Sequence, residues 1–366
     1  MKKTIMLCAG GTGGHLFPAQ ALAVELGARG YDVQLMTDKR SDAFGADFPA
    51  SAVHVIDSAT LGGRSPSAIL RTVLKLSRGL WQSLRLLRRE KPVAMVGFGG
   101  YPSFPPMLAA RLCAVPSVLH EANAVMGRAN RMLARGASGV ATAFDLPLPQ
   151  NLQHKAMVTG NPLRPNVRDV LGAPYDAPVP AGPFHLLVFG GSQGARVFSQ
   201  VVPEALALLA PEERARLAVV QQARAEDLPS VEARYRELGV AAQLAPFFAD
   251  LPAHIAASHL VICRSGAGTV CELAAIGRPA LLVPFPGALD NDQGLNADVL
   301  VQAGGARKVP QAQFSAQALA GQLKEFLAQP QQLADAAAGA KSAGQLEAER
   351  KLADFAETLI AGQQRS

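Results

Sequence analysis

An apolar run closing in G-G-[ST]-x-G occurs twice in this chain, about 180 residues apart. The first copy is Leu7-Cys8-Ala9-Gly10-Gly11-Thr12-Gly13-Gly14 and the second is Leu187-Val188-Phe189-Gly190-Gly191-Ser192-Gln193-Gly194. A helix-like stretch follows each. Glycines at that junction let the backbone turn sharply off a strand and present bare N–H groups to an anion, which the helix dipole also favours. A chain that uses the device twice is constrained to two similar α/β domains with a cleft between them.

The rest of the pattern agrees. A length of 366 residues exceeds what one core usually serves. Short apolar segments at 4–8, 33–37, 53–56, 93–98, 117–120 and 139–143 alternate with longer helical patterns. A second set follows at 185–189, 217–221, 242–245, 260–263, 280–283 and 306–309. This alternation predicts βαβ units and doubly wound parallel sheets, which bind ligands beyond the carboxyl ends of their strands. Pro174, Pro178, Pro180 and Pro183 give the stretch between the sets a linker composition, placing a domain boundary near 160–184. The tail after Ala328 is Ala- and Gln-rich and helical in pattern, broken at Pro330, and is able to cap either domain.

Charge is distributed unevenly. Residues 1–165 carry 19 Lys+Arg against 9 Asp+Glu, whereas residues 166–366 carry 16 against 20. The basic half is expected to face something acidic, phosphates or an anionic membrane surface. The four cysteines, Cys8, Cys113, Cys263 and Cys271, form no C-x-x-C pair and read as buried thiols of a reducing compartment. Glycines stop the apolar run after Lys2 and Lys3 short of a signal peptide, and no run is long enough for a membrane span.

The glycine loops admit more than one reading. Gly11-x-Gly13 is followed by Leu16 where a dinucleotide fingerprint places its third Gly or Ala, although Asp38 after the second strand stands where a ribose-binding acid would. A tight turn without a ligand is the plainer alternative. His15 lies at a helix start, where the dipole disfavours imidazolium, making it a candidate general base. The second loop adds Ser192 and Arg196 but lacks the Lys of a Walker A motif, so a diphosphate held by backbone amides fits better than NTP hydrolysis. In Arg264-Ser265-Gly266-Ala267-Gly268-Thr269, which leads into a helix, Glu272 either compensates the helix dipole or accepts two ribose hydroxyls. The segment 284–296 gathers Asp290, Asn291, Asp292, Gln293 and Asn296, which suits a hydroxyl-rich sugar and equally a solvated loop. His120-Glu121-Ala122-Asn123 and Gly160-Asn161-Pro162-Leu163-Arg164 are each weak alone, since caps and turns use the same residues.

Residues 65–91 carry a different signal. Ile69, Leu70, Val73, Leu74, Leu80, Trp81, Leu84 and Leu87 recur at helical spacing, with Arg71, Lys75, Arg78, Arg85, Arg88 and Arg89 at other positions. Packing on a sheet alone would explain the apolar stripe. The charge asks for more: from Arg64 to Lys91 there are eight bases and one acid, and the only Trp of the chain lies among them. Adsorption to anionic lipid fits this composition better than a solvated face. Nucleic acid is disfavoured, because no binding motif is present and only 5% of residues are aromatic.

Taken in order, six pieces resemble the MurG family of glycosyltransferases, which add N-acetylglucosamine to the lipid-linked muramyl-pentapeptide precursor of bacterial peptidoglycan. They are G-G-T-G-G-H at 10–15, G-G-Y-P-S at 99–103, H-E-A-N at 120–123, G-N-P-L-R at 160–164, G-G-S-Q-G-A-R at 190–196 and R-S-G-A-G-T-V-C-E at 264–272. They span nearly the whole chain, which makes the resemblance far more specific than any one loop. It implies a GT-B fold, two Rossmann-like doubly wound parallel-sheet domains facing a deep cleft. Residues 1–162 would form an acceptor and membrane-associating domain, 163–340 a UDP-sugar domain, and 341–366 a helix that can return to the first. Donor contacts implied by the resemblance are Thr12, Gly13, Gly14, Asn123, Arg164, Ser192, Phe248, Ala267, Gly268, Thr269, Val270, Cys271, Glu272 and Gln293, with Glu272 on the ribose and Gln293 near the sugar. Three features depart from the family pattern: Ala122 where Gln is common, Gly268 where Leu or Met is common, and one extra residue between Pro286 and Gln293.

The expected reaction is inverting transfer from UDP-N-acetylglucosamine to the C4 hydroxyl of undecaprenyl-diphosphate-linked N-acetylmuramyl-pentapeptide. His15 is the candidate base, Glu121 the weaker one, and neither a metal nor a cofactor is called for. The expected location is peripheral, on the cytoplasmic face of the bacterial inner membrane, with Ile69, Leu70, Val73, Leu74, Trp81, Arg85, Arg88 and Arg89 facing anionic lipid. Two other enzyme classes stay open beside it: a UDP-N-acetylglucosamine 2-epimerase and an NAD-dependent oxidoreductase.

Overall fold

The computed structural model describes residues 2–11, 13–39, 48–59, 65–191 and 194–363. Thr12 and Ser192 of the expected donor site, together with Arg64, lie outside the described residues. Two compact units are present, one of Met1–Arg164 with Leu346–Ser366 and one of Pro165–Gln345.

In the first unit, β1 (Thr4–Cys8), β2 (Asp32–Thr37), β3 (Ala52–Val55), β4 (Ala94–Gly97), β5 (Ser117–Glu121), β6 (Gly139–Thr142) and β7 (Ala156–Val158) form one sheet in the order β3-β2-β1-β4-β5-β6-β7. Every pairing in it is parallel. Central strands covered on both faces need apolar residues at every position, and β1 shows it. Ile5 and Leu7 point into a core shared with the helix Gly13–Ala28, while Met6 and Cys8 point into a second core under the helices Pro66–Glu90 and Phe104–Leu112. The sequence pattern does not predict β7. It is three residues long, largely exposed and preceded by Lys155, so it has no apolar run to betray it.

The helix Ala348–Gln363 belongs to this first unit. Its Leu352, Ala353, Phe355, Ala356 and Ile360 complete the core around the helix Gly13–Ala28. A Cβ on Gly139 would stand 2.6 Å from the Phe355 ring, so strand and helix meet closely there. Arg29 fastens the outer edge, donating to Glu25 at 2.9 Å and to Asp354 and Glu357 at 2.6 Å.

The second unit repeats the design. β8 (Phe184–Phe189), β9 (Leu217–Gln222), β10 (Ala241–Ala245), β11 (Leu260–Cys263), β12 (Ala280–Leu282) and β13 (Ala306–Lys308) run parallel in the order β10-β9-β8-β11-β12-β13. In each sheet the strand order reverses beside its first strand, between β1 and β4 and between β8 and β11. That switch point, at the carboxyl ends, is where doubly wound sheets open a ligand crevice.

Candidate active site

The loops that follow β1, β4 and β5 meet around His15. This histidine is the third residue of the helix Gly13–Ala28, and its buried Nδ1 has no hydrogen-bond partner among the described residues. Burial lowers its pKa below the ordinary histidine value, while the Glu121 charge and the Phe98 carbonyl pull the other way. The outcome is a neutral imidazole able to accept a proton. The loop before it is pinned from two sides. Asp38 accepts the Gly11 N–H at 3.1 Å, and the buried Ser103 hydroxyl lies 2.9 Å from the Cys8 carbonyl and 2.7 Å from that of Gly99. Asp38, the acid that a dinucleotide reading assigns to ribose, thus holds the glycine loop instead.

Glu121 is 3% exposed and accepts four hydrogen bonds. Oε1 takes the Asn123 amide at 3.0 Å and its Nδ2 at 3.2 Å; Oε2 takes the Gly127 amide and Asn130 Nδ2, both at 2.8 Å. The carboxylate therefore organises the loop 121–130. His120 beside it is fully buried, with Nε2 lying 3.0 Å from the Gly160 carbonyl. A carbonyl only accepts, so Nε2 carries the proton. Burial lowers the His120 pKa as well, and His15 adds to the effect. Arg164 lies over the Phe17 ring at 4.9 Å, against the helix that carries His15. Gly13 is buried and Gly14 exposed at the start of that helix.

In the second unit the glycine loop is held by Gln222. Its Oε1 accepts the Gly190 N–H at 2.9 Å, and its Nε2 donates to the carbonyls of Gly191 at 2.9 Å and Pro246 at 3.1 Å. Gly191 and Gly194 adopt φ of +86° and +63°, which a side chain would strain. Phe248, just past Pro246, is nearly buried and stacks edge-on against His254 with centroids 4.8 Å apart.

The helix Ala267–Ile276 starts directly beyond β11 and has no side-chain cap at Gly266. Its first N–H groups are therefore available to an anion. One turn in, Glu272 is 7% exposed and close enough to Cys263 and Cys271 to raise both thiols further above the range that burial already sets. Val270 is buried in the same turn, and Gly268 and Thr269 are half-buried. Arg264, in contrast, serves the structure: it donates to the carbonyls of Val283 at 3.0 Å and Pro284 at 3.1 Å and to Gln311 Oε1 at 2.6 Å. Gln293 lies in the first turn of the helix Asp292–Gln302, where its carbonyl accepts from the Ser265 hydroxyl at 2.8 Å and its Oε1 accepts the Phe285 N–H at 2.9 Å. The loop 284–296 is thus fastened to the start of the neighbouring helix, with Asn296 buried beneath it and donating to the Ser265 carbonyl at 3.2 Å.

Sequence reasoning missed the roles of Gln222, Ser103 and Asn130. Ser103 lies within the G-G-Y-P-S piece, but nothing local marked Gln222 or Asn130. Among the described residues, no group of three or more His, Cys, Asp or Glu is placed to hold a metal ion.

Comparison with known proteins gives this arrangement its family. Residues 5–142 match the glycosyltransferase family 28 N-terminal domain, and residues 185–358 match the C-terminal domain. The chain belongs to glycosyltransferase family 28. A relative from Chelativorans sp. (strain BNC1), named UDP-N-acetylglucosamine--N-acetylmuramyl-(pentapeptide) pyrophosphoryl-undecaprenol N-acetylglucosamine transferase, is 54% identical over 99% of this chain and 96% of its own length. One of the same name from Sinorhizobium fredii is 52% identical over 99% and 96%. The crystal structure of Acinetobacter baumannii MurG superposes with a TM-score of 0.79 at 29% identity, covering 97% of this chain and 99% of that one. A UDP-GlcNAc 2-epimerase from Neisseria meningitidis, at 14% identity and a TM-score of 0.64 over 96% and 99%, shares the fold. These likenesses are those of the GT-B architecture, which this chain has.

In this family 28 chain the basic segment is one helix, Pro66–Glu90, capped by the Ser65 hydroxyl on the Ala68 amide at 3.2 Å. Its apolar stripe divides. Leu87 is buried and Leu80 and Leu84 pack against the core, whereas Ile69, Leu70, Val73, Leu74 and Trp81 are 50–60% exposed. Arg78 pairs with Asp57 at 3.0 Å and Arg89 with Glu90 at 2.6 Å, while Arg85 lies over the Trp81 ring at 5.7 Å. No helix among the described residues is long and apolar enough to cross a membrane.

Proposed function

We propose that this protein transfers N-acetylglucosamine from UDP-N-acetylglucosamine to the C4 hydroxyl of undecaprenyl-diphosphate-linked N-acetylmuramyl-pentapeptide. The observation that carries this reading is 54% identity, over 99% of the chain, to a relative named for that transfer. The transfer is inverting. The acceptor oxygen attacks C1 of the sugar opposite the diphosphate, the bond from C1 to the diphosphate oxygen breaks, and UDP leaves with the electron pair. An α-linked donor thus gives a β-linked product. His15 takes the hydroxyl proton, a role favoured by its unpartnered Nδ1 and lowered pKa, whereas Glu121 is committed to four hydrogen bonds. Charge growing on the diphosphate is met by the N-terminus of the helix Ala267–Ile276 and by the loop from Gly190. Glu272 holds the ribose, and Asn123, Arg164, Phe248 and Gln293 complete the donor site with the glycine loops.

The first unit takes the lipid-linked acceptor and the second the nucleotide sugar. The exposed face of the helix Pro66–Glu90 rests on an anionic membrane surface, which makes the enzyme peripheral on the cytoplasmic side of the inner membrane. An apolar face ringed by bases is what supports this reading.

The test is UDP release with and without a lipid-linked muramyl-pentapeptide. Release that requires the acceptor and yields a β-linked disaccharide is the expected result. Formation of UDP-N-acetylmannosamine from the donor alone would replace the transferase with an epimerase.

A further inference from the structure

Asp38 and Gln222 both lie at the carboxyl end of the second strand of their sheet, one position apart when the two glycine phrases are aligned: Asp38 is just past β2, and Gln222 is the last residue of β9. Cys8 lies opposite Met36 where β1 meets β2, and Val188 opposite Gln221 where β8 meets β9. Counting on, Gly10 faces Asp38 and Phe189 faces Gln222. Each side chain then accepts the amide N–H of the residue after the one it faces on the neighbouring strand: the second glycine of the phrase in the first unit (Gly11, 3.1 Å) and the first glycine in the second unit (Gly190, 2.9 Å). Both clamps are nearly buried, 6% and 5% exposed. Both loops are closely packed: a Cβ on Gly10 would lie 2.7 Å from Asp38 Oδ1, and one on Gly190 2.3 Å from the Ala195 nitrogen of its own loop. Each repeat of the glycine phrase is therefore held from outside, by a side chain at the carboxyl end of the second strand of its own sheet.

The two clamps differ in chemistry and in what they reach. Asp38 holds the loop that leads into the helix of His15, whereas Gln222 holds its own glycine loop and also donates to Gly191 and Pro246, tying that loop to the segment before Phe248. We propose that Asp38 and Gln222 are positioning residues for the transfer reaction, Asp38 acting on turnover through the loop before His15 and Gln222 on donor binding through the Gly190 loop and Phe248. The proposal rests on the reading of the protein as a UDP-N-acetylglucosamine transferase.

Steady-state kinetics of Gln222→Ala, Gln222→Glu, Asp38→Ala and Asp38→Asn test it, with UDP binding measured by calorimetry and folding checked by thermal unfolding. Losing buried hydrogen-bond partners in Gln222→Ala should raise the donor KM and the UDP Kd by about tenfold or more, with a smaller change in kcat. Gln222→Glu keeps the acceptor for Gly190 but loses both donors, so it moves the same two constants and carries the test if the Ala variant does not fold. Asp38→Ala should lower kcat by about tenfold and leave the donor KM within about twofold, and Asp38→Asn, which retains an oxygen for Gly11, should recover most of the loss. Unchanged donor constants in both Gln222 variants, or an Asp38→Asn as impaired as Asp38→Ala, would overturn the proposal while transfer by the parent stands. A parent that binds no UDP and transfers no sugar would overturn the functional reading, and this proposal with it.

Discussion

Gly100 packs against His15 so closely that a Cβ built on it would stand 3.2 Å from both Nε2 and Cδ2 of the ring. Its φ of +72° is in the region that glycine adopts without strain. The imidazole is therefore walled on one side by backbone from the loop after β4, while its own helix start, with the dipole's positive end, lies at its root. Both features keep the ring in place and neutral.

His15→Ala should lower kcat by about 10²- to 10⁴-fold, the usual range for removing a general base, with little change in donor KM. The pH profile carries the sign. Because burial sets the His15 pKa below 6.5, the base remains unprotonated through neutrality, and kcat/KM should fall only as pH drops beneath that value. Steady-state rates between pH 5 and 8 check both, and unchanged turnover in the variant would remove His15 from the role.

Gly79 yields a prediction opposite to helix propensity. On an exposed helix Gly→Ala stabilises by about 1 kcal/mol. Here a Cβ would lie 1.9 Å from the Asp57 carbonyl oxygen, which is backbone and cannot swing away. Asp57 is itself locked, its amide donating to Gln82 Oε1 at 2.9 Å and its carboxylate paired with Arg78 at 3.0 Å. Gly79→Ala should therefore cost on the order of 1–3 kcal/mol, read as a lower midpoint in chemical denaturation. A midpoint at or above the parent's would show that this contact yields.

The fold was legible because central parallel strands must be apolar throughout, and runs such as His185 to Phe189 announce themselves next to glycines. β7, short and exposed, lacked that signal. Among the candidate site residues, those with a local signature could be placed in the fold: His15 at a helix start and Glu272 after a glycine turn. The side chains that hold those loops could not. Asp38 reaches Gly11 across 27 residues, Gln222 reaches Gly190 across 32, and Ser103 reaches Cys8 across 95. No local pattern encodes such partners; strand order alone brings them together.

Changing Arg85, Arg88 and Arg89 together to Gln should weaken binding to anionic vesicles, each base near the surface contributing on the order of 1 kcal/mol. The gap between variant and parent should close as salt rises, since the Debye length shrinks from about 8 Å at 0.15 M to about 3 Å at 1 M. Trp81, the single Trp and 60% exposed, reports insertion directly through a blue shift in its fluorescence. Equal binding of both proteins at low salt would detach the basic helix from the membrane.

His259 makes the second unit sensitive to acid. Its Nδ1 accepts the His185 amide N–H at 3.0 Å, which requires that nitrogen to be unprotonated. Burial first, then the charges of His185 and Arg278, press its pKa from 6.5 to about 4, with Asp176 acting in the opposite sense. The unfolded chain therefore binds a proton that the folded one refuses in this window. Stability from this residue is full above pH 6.5, declines as pH falls from 6.5 toward 4, and is constant below. His259→Asn, which can place an oxygen where Nδ1 stood, should lose less thermal stability than the parent between pH 6.5 and 4.5. Parallel melting curves for the two proteins across that range would assign the acid sensitivity to other groups.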